Sequence, residues 1–187
     1  MQAIEALLTR RSARTLSEPG PDEGALELLL ASAAAAPDHG RLRPWRFIIV
    51  RGAARERLGE LFRQHAQRAH RGLGAEALER ERLKALRAPL IIVVAAKCNP
   101  DLKIPVIEQV LSAGTAAYAI MLAASALGFG AMWKTGAPAY DDDIKQALGL
   151  AATDAIVGFL YVGAEVAPAA QPEREWRDLV RYWDGSS

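Results

Sequence analysis

The chain has 187 residues, 51% of them hydrophobic and 24% charged, with a formal net charge of +1. A chain of this length buries roughly 70% of the surface its unfolded form exposes, enough for a real core, so one domain over residues 1–187 is expected. The near-balance of charge argues against a disordered chain and against a polyanion-binding surface, so nucleic acid is not an expected partner.

In chain order, Ile4, Leu7 and Leu8 recur at helical spacing and predict a short amphipathic helix that closes on Arg10, Arg11 and Ser12. The preceding Met-Gln-Ala-Ile-Glu has an early acid and no continuous apolar run, unlike a signal peptide, so a cytoplasmic protein is expected. Ser17 to Pro21 predicts a turn, and Asp22 the N-cap of a second helix carrying Leu26, Leu29 and Leu30. That helix must end near Pro37, because proline disfavours helical geometry in its predecessor.

Arg46–Val50 and Pro89–Ala96 are continuous apolar runs, the pattern of strands covered on both faces. Between them a charged stretch predicts two helices joined at Gly72-Leu73-Gly74. Basic side chains outnumber acidic ones there, yet acids and bases interleave at helical spacing, which makes a solvated, ion-paired face. Cys98 ends the second strand and predicts a buried thiol. A lone cysteine makes neither an internal disulfide nor a zinc site.

Val110 to Phe129 contains no charged residue and is long enough to cross a bilayer. Its Ala, Ser, Gly and Thr content, and its lack of basic and aromatic anchors, predict instead a central buried helix in a packed subunit interface, with no membrane partner. Gly128-Phe129-Gly130 terminates it; this Gly-x-Gly follows a helix, the reverse of the dinucleotide-binding order. A strand over Ala131–Gly136, a short helix over Tyr140–Leu150 and a core strand over Ala155–Gly163 follow. The polar tail after Pro168 carries Trp176, Tyr182 and Trp183 and is expected to lie over a partner subunit.

Few residues carry chemistry. Arginine offers a forked donor matched to phosphate oxygens, and a neighbouring hydroxyl adds another, so Arg10-Arg11-Ser12 can hold a phosphomonoester; the same arginines can equally complement a helix dipole. His39 follows Pro37-Asp38 in a loop, where a solvated turn residue is the ordinary reading. The histidines lack metal-ligand spacing and no serine sits in a nucleophile elbow.

Leu7 to Arg14, Ala36-Pro37-Asp38-His39 through Pro44-Trp45-Arg46-Phe47, Leu127 through Lys134, and Gly158 to Gly163 together resemble the nitroreductase family, in the same order from about residue 2 to residue 163. The resemblance implies an α+β, nitroreductase-like fold: a central mixed or antiparallel sheet wrapped by helices, in an intertwined homodimer with FMN at the subunit interface. It implies an oxidoreductase that moves hydride from NAD(P)H through FMN to nitroaromatics, quinones or similar acceptors. By the same resemblance Arg10 and Ser12 hold the FMN phosphate, Arg11 lies along the phosphoribityl chain, and Ala35 and His39 reach the flavin from the partner. Trp133, Lys134 and Thr135 line the cofactor, and Ala123, Ala124, Ser125, Ala126, Leu127 and Gly128 lie near the nicotinamide nucleotide.

The chain departs from many members, which carry Ser-x-x-Asn-Gln-Pro-Trp where it has Asp38 to Trp45, and it lacks a long insert. A flavin-binding or storage module with little turnover, and a related reduced-flavin reaction such as dehalogenation, are the alternative readings on the same scaffold.

Overall fold

In the computed structural model, which describes residues 3–167 and 175–185, the helices are α1 (Ala3–Thr9), α2 (Glu23–Ala34), α3 (Ala54–Ala69), α4 (Ala75–Leu83), α5 (Val106–Ala126) and α6 (Asp142–Ala147). The strands are β1 (Leu16–Ser17), β2 (Trp45–Arg51), β3 (Leu90–Ala96), β4 (Gly130–Lys134) and β5 (Ala155–Glu165). All pairings are antiparallel: β3 lies between β2 and β5, and β5 also pairs with β4 and, at its last two residues, with β1.

β3 is buried along its whole length, as its unbroken apolar run predicts. Leu90, Ile92, Val94 and Ala96 face one core with α2 and α5, while Ile91 and Val93 face a second with α3 and the region around α6. β2 was expected to be covered on both faces, but among the described residues it pairs with β3 alone, and Phe47, Ile48 and Ile49 are only partly buried. A register shift opposite Val94 and Ala95 reverses the alternation in β5, so Ile156 shares a core with Phe159 and Tyr161.

Just beyond that bulge, Gly158 is required by a close approach. A Cβ there would stand 2.1 Å from Nε1 of Trp133, whose indole crosses over and donates a 3.1 Å hydrogen bond to the Val157 carbonyl. Trp133 thus points into the sheet packing and belongs to the α2/α5 core.

Helix α2 begins where the Asp22 carboxylate accepts from the Ala25 N–H at 2.8 Å, as its sequence predicts. Helix α5 buries Gln109, Ser112, Ala113, Ala116, Ala117, Ile120, Met121 and Ala124, a stripe at i, i+3, i+4 spacing. Small residues on that stripe let α2 and the sheet approach closely. Ile107, Leu111 and Tyr118 on α5, Leu127 just after it, Ile4 and Leu8 on α1, and Leu28 on α2 stay exposed on the single chain.

The expected turn at Ser17 is partly strand, because β5 runs two residues past Gly163 and captures Leu16 and Ser17. Strand β4 stops at Lys134, which frees Thr135 and Gly136 from the ladder. Residues 168–174 of the expected tail lie outside the described residues; in the remainder Trp176, Tyr182 and Trp183 are exposed. Cys98 is buried, and burial pushes its thiol above the ordinary range, as suits an unreactive core cysteine.

Candidate cofactor site

Two segments far apart in sequence meet at β4. The Ala13 N–H donates to the Ala131 carbonyl at 2.9 Å, which lays the end of the Arg10-Arg11-Ser12 segment against the strand that leads to Lys134 and Thr135. Arg10 places its guanidinium over the Tyr118 ring of α5, 5.7 Å from the centroid. Arg11 Nη2 pairs with Glu165 at 2.8 Å, while Arg11 Nε and Glu165 Oε1 are buried without a hydrogen-bond partner among the described residues. Ser12 is exposed beside them. A buried donor with no acceptor is a group that an incoming anion can satisfy.

A recess of about 130 Å³ continues from this segment, lined by Ala13, Arg14, Leu16, Arg87, Met132, Lys134 and Tyr161. Arg87, Lys134 and Tyr161 also line the neighbouring cavity of about 400 Å³, where Phe62, Phe159 and Thr135 supply apolar and hydroxyl surface. Among the described residues Arg14, Arg87 and Lys134 make no ion pair, so the two adjoining spaces share available positive charge, while Phe62 and Phe159 give the larger one an aromatic surface and its Glu81 is paired with Lys84. Burial pushes the Tyr161 phenol up to about 12, against the opposing pull of the Arg87 charge, so it remains a hydrogen-bond donor at neutral pH.

One wall of the larger cavity is braced by Asp141, which caps α6 by accepting from Ile144 N–H at 2.9 Å and holds His65 Nδ1 at 2.6 Å and Arg68 Nη2 at 3.0 Å. Burial works against the Asp141 charge, but the hydrogen bonds from His65, Ile144 and Arg68 outweigh it and hold the carboxyl at about 2. This lies below the ordinary value of roughly 3.9, so its contribution to stability is complete above pH ~4 and is lost as pH falls through about 2. Asp141→Ala should lower unfolding free energy at neutral pH by about 2 kcal/mol, and the difference from wild type should shrink in acid. Urea titrations at pH 7 and at about pH 2.5 check both the size and the sign.

The other predicted residues fall into three places. Ser125 and Gly128 line a third cavity, of about 360 Å³, with Arg11 and Glu165. Ala123, Ala126 and Leu127 border an apolar groove of about 440 Å³ between α1, α2 and α5, and Ala124 is fully buried. Ala35 and His39 lie at the opposite end of α5: His39 Nδ1 contacts Glu108, and Ser112 donates to the Pro37 carbonyl at 3.0 Å. Glu108 and Tyr118 are ten residues apart, about 15 Å along the helix, so within one chain His39 and Arg10 do not meet.

The His39 loop is rigidly built. Gly40 takes φ +70°, and a Cβ there would stand 2.2 Å from Ile104 Cδ1. Arg41 and Arg43 adopt φ values of 56° and 48°, a left-handed conformation that costs a non-glycine residue roughly 1–2 kcal/mol. Asp38 accepts from Arg43 N–H at 2.6 Å, and buried Gln109 clamps the Asn99–Ile104 segment beneath through three hydrogen bonds, each of 2.9 Å.

Residues 7–164 match the model of the nitroreductase family. The chain belongs to that family. It is 42% identical over 163 residues to "Putative NAD(P)H nitroreductase YdjA" of Escherichia coli, covering 87% of this chain and 88% of the relative. "Putative NAD(P)H nitroreductase" of Haemophilus influenzae is 35% identical over 185 residues, 97% of this chain and 100% of that one. Among solved structures, a nitroreductase-like family protein from Bacillus cereus superposes with a TM-score of 0.82 at 25% identity, covering 99% of this chain and 97% of that one. The structure of "a putative nitroreductase in complex with fmn" from Desulfovibrio desulfuricans reaches 0.75 at 20% identity, covering 100% of this chain and 99% of that one, and shares the fold.

Several members of the site escape a reading of the sequence. Arg14, Lys84, Arg87, Tyr161 and Glu165 sit on three different segments, and the antiparallel pairing of β3, β4 and β5 gathers them. The bracing pair His65 and Asp141 is separated by 76 residues. Its one local signal is the run Asp141-Asp142-Asp143 before an apolar residue, which marks a helix start.

Proposed function

We propose that this nitroreductase-family protein is an FMN-dependent oxidoreductase that takes reducing equivalents from NAD(P)H and delivers them to nitroaromatics, quinones or similar flat acceptors. The observation that carries the reading is the Ala13 to Ala131 hydrogen bond, which joins a phosphate-grade donor cluster to the adjoining spaces with their shared positive charge and aromatic surface. The donor set fits FMN at both ends. Arg10 and Ser12 would hold its phosphate, Arg11 its ribityl chain, and Lys134 and Thr135 its ring.

When bound, FMN accepts a hydride from the nicotinamide and passes two electrons to the acceptor. The chain supplies the rest. Arg14, Arg87, Lys134 and Tyr161 line one recess, and their positive charge and phenolic O–H would favour the electron-rich form of a flavin held there. Glu165 orients Arg11 through their ion pair. Trp133 acts through packing: with its indole N–H held by Val157, it sets the path of the strand that presents Lys134.

The working unit is a homodimer in which Ala35 and His39 of one copy complete the site of the other. Two observations support it: the 15 Å separation along α5 and the exposed apolar side chains on α1, α2 and α5. The tail aromatics cover the partner, and the protein works in the cytoplasm.

An anaerobic visible spectrum tests the activity. The purified, FMN-loaded protein should bleach near 450 nm, roughly the flavin band, within seconds of adding NADPH or NADH, and regain colour with a nitroarene or quinone. A yellow protein that neither nucleotide bleaches would instead be a flavin store.

A further inference from the structure

The His39 loop carries charge that the reading above does not use. Arg41 and Arg43 are both exposed and both in left-handed backbone geometry, and neither side chain is paired among the described residues. Ordinary turns place glycine or asparagine at such positions. Strained positions persist where surrounding structure over-determines them, and they concentrate at ligand clamps. Here Asp38, Ser112 and the Gln109-clamped Ile104 fix the loop, so the guanidinium groups are presented from a preorganised platform.

Among the described residues neither local acid forms an ion pair with these guanidinium groups. Asp38 is committed to the Arg43 N–H and Glu108 to His39. Arg46 folds back, its Nη1 donating to the Arg43 and Trp45 carbonyls, which stiffens the base of the loop. Lys97 joins the same surface, since its N–H donates to the Pro44 carbonyl at 2.7 Å and its side chain is exposed.

We infer that Arg41 and Arg43 form the docking point for the 2′-phosphate of NADPH, and so select the phosphorylated dinucleotide over NADH. Two exposed arginines two residues apart on one loop supply forked cationic donors of the kind that bind a phosphomonoester dianion, the group that distinguishes the two nucleotides. The inference rests on the proposed dimeric flavin site, in which this loop reaches the partner's cofactor through His39.

The test measures binding to the FMN-loaded protein by calorimetry, with NADP⁺ and NAD⁺ as probes, for wild type and for the double variant R41N/R43N. Asparagine tolerates left-handed geometry, so the variant removes charge and keeps the loop. Wild type should bind NADP⁺ at least tenfold more tightly than NAD⁺. The variant should lose at least tenfold for NADP⁺ and less than twofold for NAD⁺, with its flavin spectrum unchanged. Equal losses for both nucleotides would assign the loop to the shared pyrophosphate and overturn the inference, as would a wild type without preference. A variant that releases its flavin would also overturn it, by assigning the arginines to the FMN phosphate. A wild-type protein that takes up no FMN would instead sink the flavin reading itself.

Discussion

Arg10→Ala should weaken FMN binding by more than about 1.5 kcal/mol, at least tenfold in dissociation constant, because the substitution removes a charge-assisted contact to the phosphate. Its position makes the expectation specific. The side chain lies over the Tyr118 ring at the end of α1, so it is held in place before any ligand arrives and little rotamer freedom is lost on binding. Arg10→Lys keeps the charge but loses the fork, and should recover part of the affinity. Flavin fluorescence titration of the apoprotein measures each constant, and a change within error for Arg10→Ala would return the residue to a dipole-complementing role.

Gly158→Ala should destabilise the protein by about 2–3 kcal/mol. The added methyl group would meet Nε1 and Cδ1 of Trp133 at 2.1 and 2.6 Å, atoms of a rigid indole rather than the end of a flexible chain. Relief requires the indole to move, which breaks the hydrogen bond from its part-buried N–H to Val157. Because Trp133 directly precedes Lys134, the same movement disturbs the cofactor edge. Chemical denaturation gives the stability loss, and a shift in tryptophan emission distinguishes displacement of the indole from remote unfolding.

The elements were legible where periodicity was strong. The apolar run of β3 and the paired helices around Gly72-Leu73-Gly74 appear as the pattern predicts, because hydrophobic burial on a sheet or a helix face imposes a repeat that local sequence displays. β1 was not legible: two residues become strand only because β5 continues past Gly163 to receive them, a tertiary cause with no local trace. The bulge in β5 is similar, since the run Ala155 to Gly163 gives no hint that its alternation reverses.

For the site, the motifs Arg10-Arg11-Ser12 and Lys134-Thr135 were visible as segments. What joins them is one backbone hydrogen bond at Ala13 and Ala131, neither of which has a side chain that signals pairing. The isolated cations Arg14 and Arg87 look like ordinary surface charges until the sheet places them around one recess. The strain at Arg41 and Arg43 is likewise a property of three-dimensional context.

Helix α5 touches the phosphate end of the site through Tyr118 and the His39 loop through Glu108. It therefore serves as a ruler as well as a core element. Each residue advances an α-helix by about 1.5 Å and turns it by about 100°, so one residue gained or lost between those contacts would rotate one station away from its partner while shifting its height. Substitutions along the outer face can be absorbed one at a time, whereas the length of this segment is tied to the spacing between the two stations.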